Sequence, residues 1–322
     1  MTARGKVHAI HNPLRIRVAA TAAAARRLMR GGYCPVECGF GSTSVVNRLR
    51  MDHHGPLRHL EGVAIRSYED HFGACARRPW FAVTGYADED VTWAIGSLAG
   101  LLPHPSRAAE FRNAPVEMRE RWTADRTSLA RLINRVDTDP APLDLSGTAD
   151  GRLLLAWRLR GSFPLRDSLA FYAGIDRWRS LLTLAAGDEV RQYAGLLALR
   201  LKRIRAVRHE RIGKHVTLVN ASIWGFAMPY AWEWHRRWKA AVLFVFQPRI
   251  SGRGTVTVCA RNRKVAERLY GEDGLINLFA RLRPAGWGGR QLIGGSPRGR
   301  SLSWEEARAA ATVAQESAGA KT

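Results

Sequence analysis

Asp52, His53 and His54 stand together between an apolar run, Val45–Met51, and a Gly55-Pro56 break. An acid followed by two imidazoles offers carboxylate and nitrogen ligands, a set that suits Mn, Fe, Zn or Co better than Ca. The apolar run predicts a buried strand, whose end would display the three side chains from a rigid sheet. From the triplet alone, a strand-end acid followed by two surface histidines is an equally good interpretation.

Two further acidic clusters occur in the first half of the chain. Asp88 and Asp90 follow the apolar run Trp80–Thr84 and open a helical pattern. Asp137 and Asp139 stand before Pro140, in a segment that we predict to be a loop. With the triplet, these clusters predict a site for two divalent cations about 3.5–4 Å apart. The predicted metal ligands are Asp52, His53, Asp88, Asp90, Asp137 and Asp139. The alternative is structural, since the same acids suit a helix start and a turn.

A glycine-rich run over residues 286–299 contains six glycines in fourteen residues. Glycine lets backbone N–H groups approach an anion closely, and arginine adds fork-shaped donors for phosphate. We therefore predict a phosphate-binding loop here, with a flexible surface loop as the alternative. Its predicted contacts are Gly289, Arg290, Gly294, Gly295, Ser296 and Arg298.

Tryptophans also alternate with basic residues in the second half of the chain. The residues concerned are Trp224, Trp232, Trp234, Arg236, Arg237, Trp238 and Lys239. Aromatic rings among cations can stack bases and pair phosphates of single strands. Packing of the same tryptophans in a core explains the pattern equally well.

The composition indicates a globular chain of 322 residues, long enough for two domains. The net charge is +22, but residues 151–322 carry 30 basic against 12 acidic residues, whereas residues 1–150 carry 20 against 16. This asymmetry predicts an anion-holding second half, although only 6 of the 50 basic residues are lysine, which also fits a biased genome. No membrane span or signal peptide is evident, so we expect no membrane partner and a cytoplasmic location. Four cysteines are too few for a disulfide framework.

Strand and helix patterns alternate along the first half. The predicted strands are Val7–His11, Val45–Met51 and Trp80–Thr84, and the predicted helices are Ala19–Met29 and Val91–Leu102. Such alternation predicts an α/β fold with a mainly parallel sheet. We predict an N-terminal domain over residues 1–187, a helical connector over 188–212 and a smaller α/β domain over 213–322.

Asp52-His53-His54-Gly55, with the late glycine-rich run, resembles the DHH phosphoesterase superfamily. That resemblance implies a two-metal site, usually manganese, in an N-terminal α/β domain, and a C-terminal domain whose Gly-Gly-His loop holds the substrate phosphate. It implies metal binding by Asp52 and a metal or phosphate role for His53 and His54. Two motifs differ: no Asp-x-Asp follows His11, and Gly288-Gly289-Arg290 stands where the family has Gly-Gly-His.

The resemblance and the residues predict a hydrolase, a divalent-metal-dependent phosphoesterase that acts on a nucleotide or short nucleic acid. Its expected cofactor is two Mn²⁺ ions, with other divalent metals as alternatives, and its expected catalytic residues are His53 and His54. The rival hypothesis is an inactive scaffold of the same fold that binds nucleic acid or a nucleotide through its basic C-terminal half. The motif differences leave this rival open.

Overall fold

The computed structural model describes residues 13–40, 43–57, 59–85, 87–140, 143–159, 168–183, 186–221, 231–248, 251–282, 286–297 and 300–319. Two compact units divide the chain. Unit 1 comprises Met1–Thr127 and Leu165–Ser180, and unit 2 comprises Ser128–Pro164 and Leu181–Thr322. The predicted mixed α/β fold is confirmed, with a parallel sheet near the N-terminus and a separate mixed sheet in the C-terminal half. The predicted domain boundaries stay a prediction.

In its described ranges, the first part of the chain forms five short strands and seven α-helices. In chain order these are β1 (Arg15–Val18), α1 (Ala22–Arg30), β2 (Cys34–Val36), β3 (Gly39–Phe40), β4 (Thr43–Ser44), α2 (Val63–Glu69), β5 (Trp80–Val83), α3 (Glu89–Leu98), α4 (Val116–Thr123), α5 (Thr127–Thr138), α6 (Ala149–Leu159) and α7 (Ser168–Thr183). Short 3₁₀ helices span Gly55–Leu57, Pro105–Phe111 and Leu145–Gly147.

The remaining elements carry most of the strands. They are α8 (Ala186–Arg205), β6 (His209–Ile212), β7 (Val216–Asn220), α9 (Ala231–Trp238), β8 (Val242–Pro248), β9 (Gly254–Ala260), α10 (Arg263–Tyr270), α11 (Leu275–Leu282), β10 (Gly288–Gly289), β11 (Ile293–Gly295) and α12 (Trp304–Ser317). Among the described residues, we find no helix with the length and apolar character needed to cross a membrane.

Unit 1 is built on a three-stranded parallel sheet with the order β1-β5-β2. Its central strand is buried, and every residue of α3 is buried beside it. Val36 of β2 pairs with Val83 of β5, so Glu37 and Thr84 leave the sheet at the same edge. Carboxyl ends of parallel strands are where α/β folds display functional side chains.

Unit 2 contains a six-stranded sheet with the order β10-β11-β9-β8-β7-β6. Only β7 and β8 run parallel among its described strand pairs. Apolar residues of β8 and β9 pack with α10, α11 and α12 in one core. The predicted capping box at the start of α12 is confirmed, because Ser303 and Glu306 cap each other's backbone N–H.

Two local predictions are wrong. Val45–Met51 is no strand, because Asn47 accepts the Leu49 N–H at 3.0 Å and closes a turn in which Arg50 has φ of +51°. Asp137 and Thr138 lie in α5 rather than in a loop, since Pro140 restricts only the residue directly before it. The predicted strand Val7–His11 lies outside the described residues.

Candidate metal centre

Asp52, His53 and His54 lie in a loop between the β3–β4 hairpin and the 3₁₀ helix Gly55–Leu57. Asp52 and His53 are fully buried, while 32% of the His54 side chain is exposed. Gly39 of β3 allows this close approach, since a Cβ there would lie 3.2 Å from His54 Cβ and 3.3 Å from Asp52 Oδ2. The loop therefore packs against a backbone that has no side chain at the point of contact.

The Asp52 carboxylate is held from two sides. Its Oδ1 accepts the His54 backbone N–H at 2.9 Å and lies 3.0 Å from His54 Nδ1, while Ser44 Oγ donates to Oδ2. Burial raises the pKa of Asp52, but the hydrogen bonds from His54 and Ser44 outweigh it and leave the pKa below its ordinary value. Asp52 is therefore a buried carboxylate kept ionised, and it orients the His54 ring.

Arg66 fixes the backbone that carries these side chains. Its guanidinium donates to the carbonyl oxygens of Arg50 at 2.8 Å, Asp52 at 3.0 Å and Glu61 at 2.8 Å. Each bond carries a charge on the donor, which makes it stronger than a bond between neutral groups. The loop thus holds its shape through α2, on which Arg66 lies.

Glu37 brings a second buried carboxylate to the histidines. It follows β2 with φ of +51°, a conformation that costs a residue with a side chain about 1 kcal/mol or more. The Glu37 N–H donates to the Met51 carbonyl at 2.7 Å, and Thr84 Oγ1 donates to the Glu37 carbonyl. Its Oε1 lies 2.7 Å from His53 Nε2 and 3.9 Å from His54 Nδ1.

The donor atoms of Glu37, His53 and His54 all lie within 4.8 Å of one another. Asp90, buried in the first turn of α3, places a carboxylate oxygen within the same distance of a His53 nitrogen. The Glu37 carboxylate and the two imidazoles form a donor set that fits a borderline divalent cation such as Mn²⁺, Fe²⁺ or Zn²⁺, and Asp90 lies beside His53. The residues present therefore fit the predicted metal.

The other predicted ligands are distributed over both units. Asp88 occupies the N-cap position of α3 without a side-chain capping bond. Asp137 and Asp139 belong to unit 2, where α5 contains Asp137 and the Asp139 N–H bonds to the Arg135 carbonyl at 2.6 Å. Residues two apart on a helical turn point in different directions, and a metal role for these two aspartates stays a prediction.

The glycine-rich run forms strand pairs in unit 2. A Cβ on Gly294 would lie 2.4 Å from the Phe279 ring, and one on Gly295 would lie 2.4 Å from the Val256 carbonyl. Ser296 exchanges hydrogen bonds with the Val256 backbone, and the Arg290 N–H donates to Ile293 at 2.6 Å. Close packing therefore explains these glycines, and phosphate binding by Gly289, Arg290, Gly294, Gly295 and Ser296 stays a prediction. Arg298 lies outside the described residues.

Sequence reasoning missed Glu37, Ser44 and Arg66. A signal existed for Glu37, because it follows the short apolar stretch Cys34–Val36 soon after the Gly31-Gly32 pair that ends α1. The positive φ of Glu37 has no such signal, and neither does the contact of Arg66 with the loop 14–16 positions before it. These features depend on tertiary structure.

No protein-family model matches the chain, and no curated protein does either. Among solved structures, the chain is similar to PggH, a pGpG-specific phosphodiesterase from Vibrio cholerae, with a TM-score of 0.35 and 13% sequence identity. The alignment covers 60% of this chain and 66% of that one, so the chain spans just under two thirds of the neighbour's length. A structural similarity this low does not support a functional conclusion, so the proposed function rests on the geometry of the site.

Proposed function

We propose that the chain is a divalent-metal-dependent phosphoesterase acting on a nucleotide or short nucleic acid. The observation that carries this proposal is the group of Glu37, His53 and the partly exposed His54, with the buried Asp90 also close to His53. Such a concentration of buried ionisable groups is costly for a fold, and function is the usual reason for it. Free thiols at the described cysteines agree with a cytoplasmic location, which we also propose.

Glu37, His53, His54 and Asp90 would hold the metal, for which Mn²⁺ is our first choice. When bound, a divalent cation polarises a phosphoryl oxygen and lowers the pKa of a bound water. Asp52 would act as a positioning residue, because its Oδ1 lies 3.0 Å from His54 Nδ1 and fixes the orientation of the His54 ring. Direct metal binding by Asp52, Asp88, Asp137 and Asp139 stays a prediction from the sequence.

The charge distribution supports an anionic substrate. Residues 151–322 hold 30 of the 50 basic residues, and an excess of arginine favours phosphate because its planar fork matches phosphate oxygens. His54 is the only partly exposed member of the triplet, so it is the imidazole best placed to meet a substrate. We therefore propose His54 as the metal ligand that faces the scissile phosphate and His53 as a buried ligand.

The test combines metal binding with hydrolysis. We expect the purified chain to bind Mn²⁺ in calorimetry and, with Mn²⁺ added, to hydrolyse bis(p-nitrophenyl) phosphate or a short oligonucleotide. Glu37→Gln should lower the Mn²⁺ affinity at least tenfold, and Asp52→Asn by about 10–100-fold with loss of activity. Glu117→Gln removes the charge of an exposed acid on α4 and is the matched control. Full activity after chelation would contradict the proposal.

Close packing explains the glycines of the glycine-rich run without a bound phosphate. This favours a second candidate, a scaffold that binds nucleic acid without hydrolysing it. Under this alternative the chain retains a salt-sensitive affinity for single strands but shows no turnover with any divalent metal. Stoichiometric metal with measurable turnover would exclude it.

A further inference from the structure

Three aromatic rings form a stack in unit 2 that runs from the core to the surface. Trp234 is buried, and its Nε1 donates to the Ile204 carbonyl at 2.9 Å. Trp238 lies almost parallel to it, with ring centroids 5.9 Å apart and an interplanar angle of 7°. His209, exposed at the start of β6, stacks on Trp238 with centroids 4.0 Å apart and an angle of 19°. The outermost ring of the stack therefore faces solvent.

Exposed basic residues adjoin this stack in the sequence. Arg237 and Lys239 flank Trp238, whereas Arg208, which precedes His209, places its guanidinium 5.7 Å from the centroid of the Trp304 ring. Arg205 and Arg236 bond to opposite oxygens of Glu233 at 2.6 and 2.7 Å. Because one buried carboxylate serves two arginines, this group of three retains a net positive charge.

Glu210, the acidic residue nearest to the stack in sequence, does not neutralise the basic residues beside the stack. It follows His209, but its carboxylate is bonded to Arg308 at 2.7 Å. Packing in the core accounts for Trp234, and it accounts for neither the exposed His209 ring nor the cations beside it. A flat ring that ends a stack among cations is the chemistry that meets an unpaired base and its phosphates.

We propose that His209, Trp238, Arg237 and Lys239 form a binding site for single-stranded nucleic acid. A base stacks on the solvent-facing side of His209 and extends the series that Trp234 and Trp238 begin. The neighbouring cations take the phosphates on either side of this base. A duplex does not fit this site, because its bases are already stacked on one another. The inference goes beyond hydrolysis, since such binding needs no metal.

The experiment measures binding of fluorescein-labelled dT12 and U12 by anisotropy, in EDTA and at two salt concentrations. His209→Ala should weaken binding about tenfold, and His209→Phe should restore it because a flat ring is sufficient for stacking. Arg237→Glu should weaken binding and reduce the slope of log Kd against log salt by about 0.7 for each phosphate that is no longer neutralised. A 2-aminopurine base in the strand should lose its stacking-dependent fluorescence change in His209→Ala alone.

Lys264→Glu is the matched control, because Lys264 is an exposed cation on α10 of the same unit. Equal weakening by Arg237→Glu and Lys264→Glu would overturn the proposal, since it would indicate attraction by total charge only. Equal affinity for a duplex, or no effect of His209→Ala, would overturn it as well. Because the measurement is made in EDTA, binding at this site does not depend on a metal, so failure of the metal centre and failure of this site are distinguishable.

Discussion

At the scale of single residues, Glu37 shows how the backbone sets the candidate centre. Its positive φ turns the chain at the end of β2 and places the carboxylate beside His53. We expect Glu37→Gly to be more stable than Glu37→Ala by about 1 kcal/mol, because both remove the carboxylate but only glycine tolerates this φ without strain. Urea unfolding of the two variants measures the difference. Equal stability would show that residue 37 is not held in this conformation.

Cys75 and Cys34 provide a second residue-scale prediction. A hydrogen bond from Cys34 lowers the pKa of Cys75, whereas the pKa of Cys34 is raised by the same contact and by burial. Burial also raises the pKa of Cys38, to about 12. Since the thiolate is the reactive form, we expect iodoacetamide to modify Cys75 first at neutral pH. Mass spectrometry of a time course identifies the site, and faster labelling of Cys34 or Cys38 would contradict the assignment.

At the scale of elements, the glycines of β11 set how closely the strand packs. A Cβ on Gly294 would meet Phe279 and the Gly288 carbonyl at 2.4–2.5 Å, whereas one on Gly288 would meet nothing within 4 Å. We expect Gly294→Ala to reduce the free energy of unfolding by about 1–3 kcal/mol, as overpacking does in a filled core. Gly288→Ala should change it much less. If the two variants unfold at the same urea concentration, β11 does not pack as described.

The sequence could predict those elements whose residues signal their own boundaries. Trp80–Val83 is apolar and ends before a glycine, and Ser303 with Glu306 marks the start of α12, so both were found. Val45–Met51 has strand-like composition, but the Asn47 side chain bonds locally and forms a turn. Local chemistry of this kind competes with periodicity, and only the folded chain decides between them.

The candidate centre was predicted in part for a related reason. His53, His54 and Asp90 were recognised by residue type, and the structure brings Asp90 to His53. The contribution of Glu37 depends on the pairing of β2 with β5, which joins residues more than forty positions apart. A single sequence contains no record of that pairing, so the apolar stretch before Glu37 indicates a strand end but not that its carboxylate meets His53.

At the scale of the whole molecule, the charge excess makes burial of a further cation costly, and His235 is the clearest case. It is fully buried in α9, its Nδ1 faces the Ala240 carbonyl at 3.0 Å, and its Nε2 lies 3.3 Å from Cys259 Sγ. Burial, with a smaller contribution from the charge of Arg261, lowers its pKa to about 4, although the Ala240 carbonyl acts in the opposite direction. The folded chain therefore keeps this imidazole neutral.

This neutral imidazole predicts the pH dependence of stability. The unfolded chain takes up a proton at His235 near pH 6.5, while the folded chain does so only near pH 4. The unfolded state thus binds more protons in this window, and the free energy of unfolding falls as the pH drops through it, by about 3 kcal/mol in total. His235→Asn removes the titrating group, so the stability difference between this variant and the unchanged chain should shrink from pH 7 to pH 4.5. Urea midpoints across this range measure that difference, with His209→Asn, at an exposed histidine, as the control. A difference that stays constant with pH would show that His235 is protonated equally in both states.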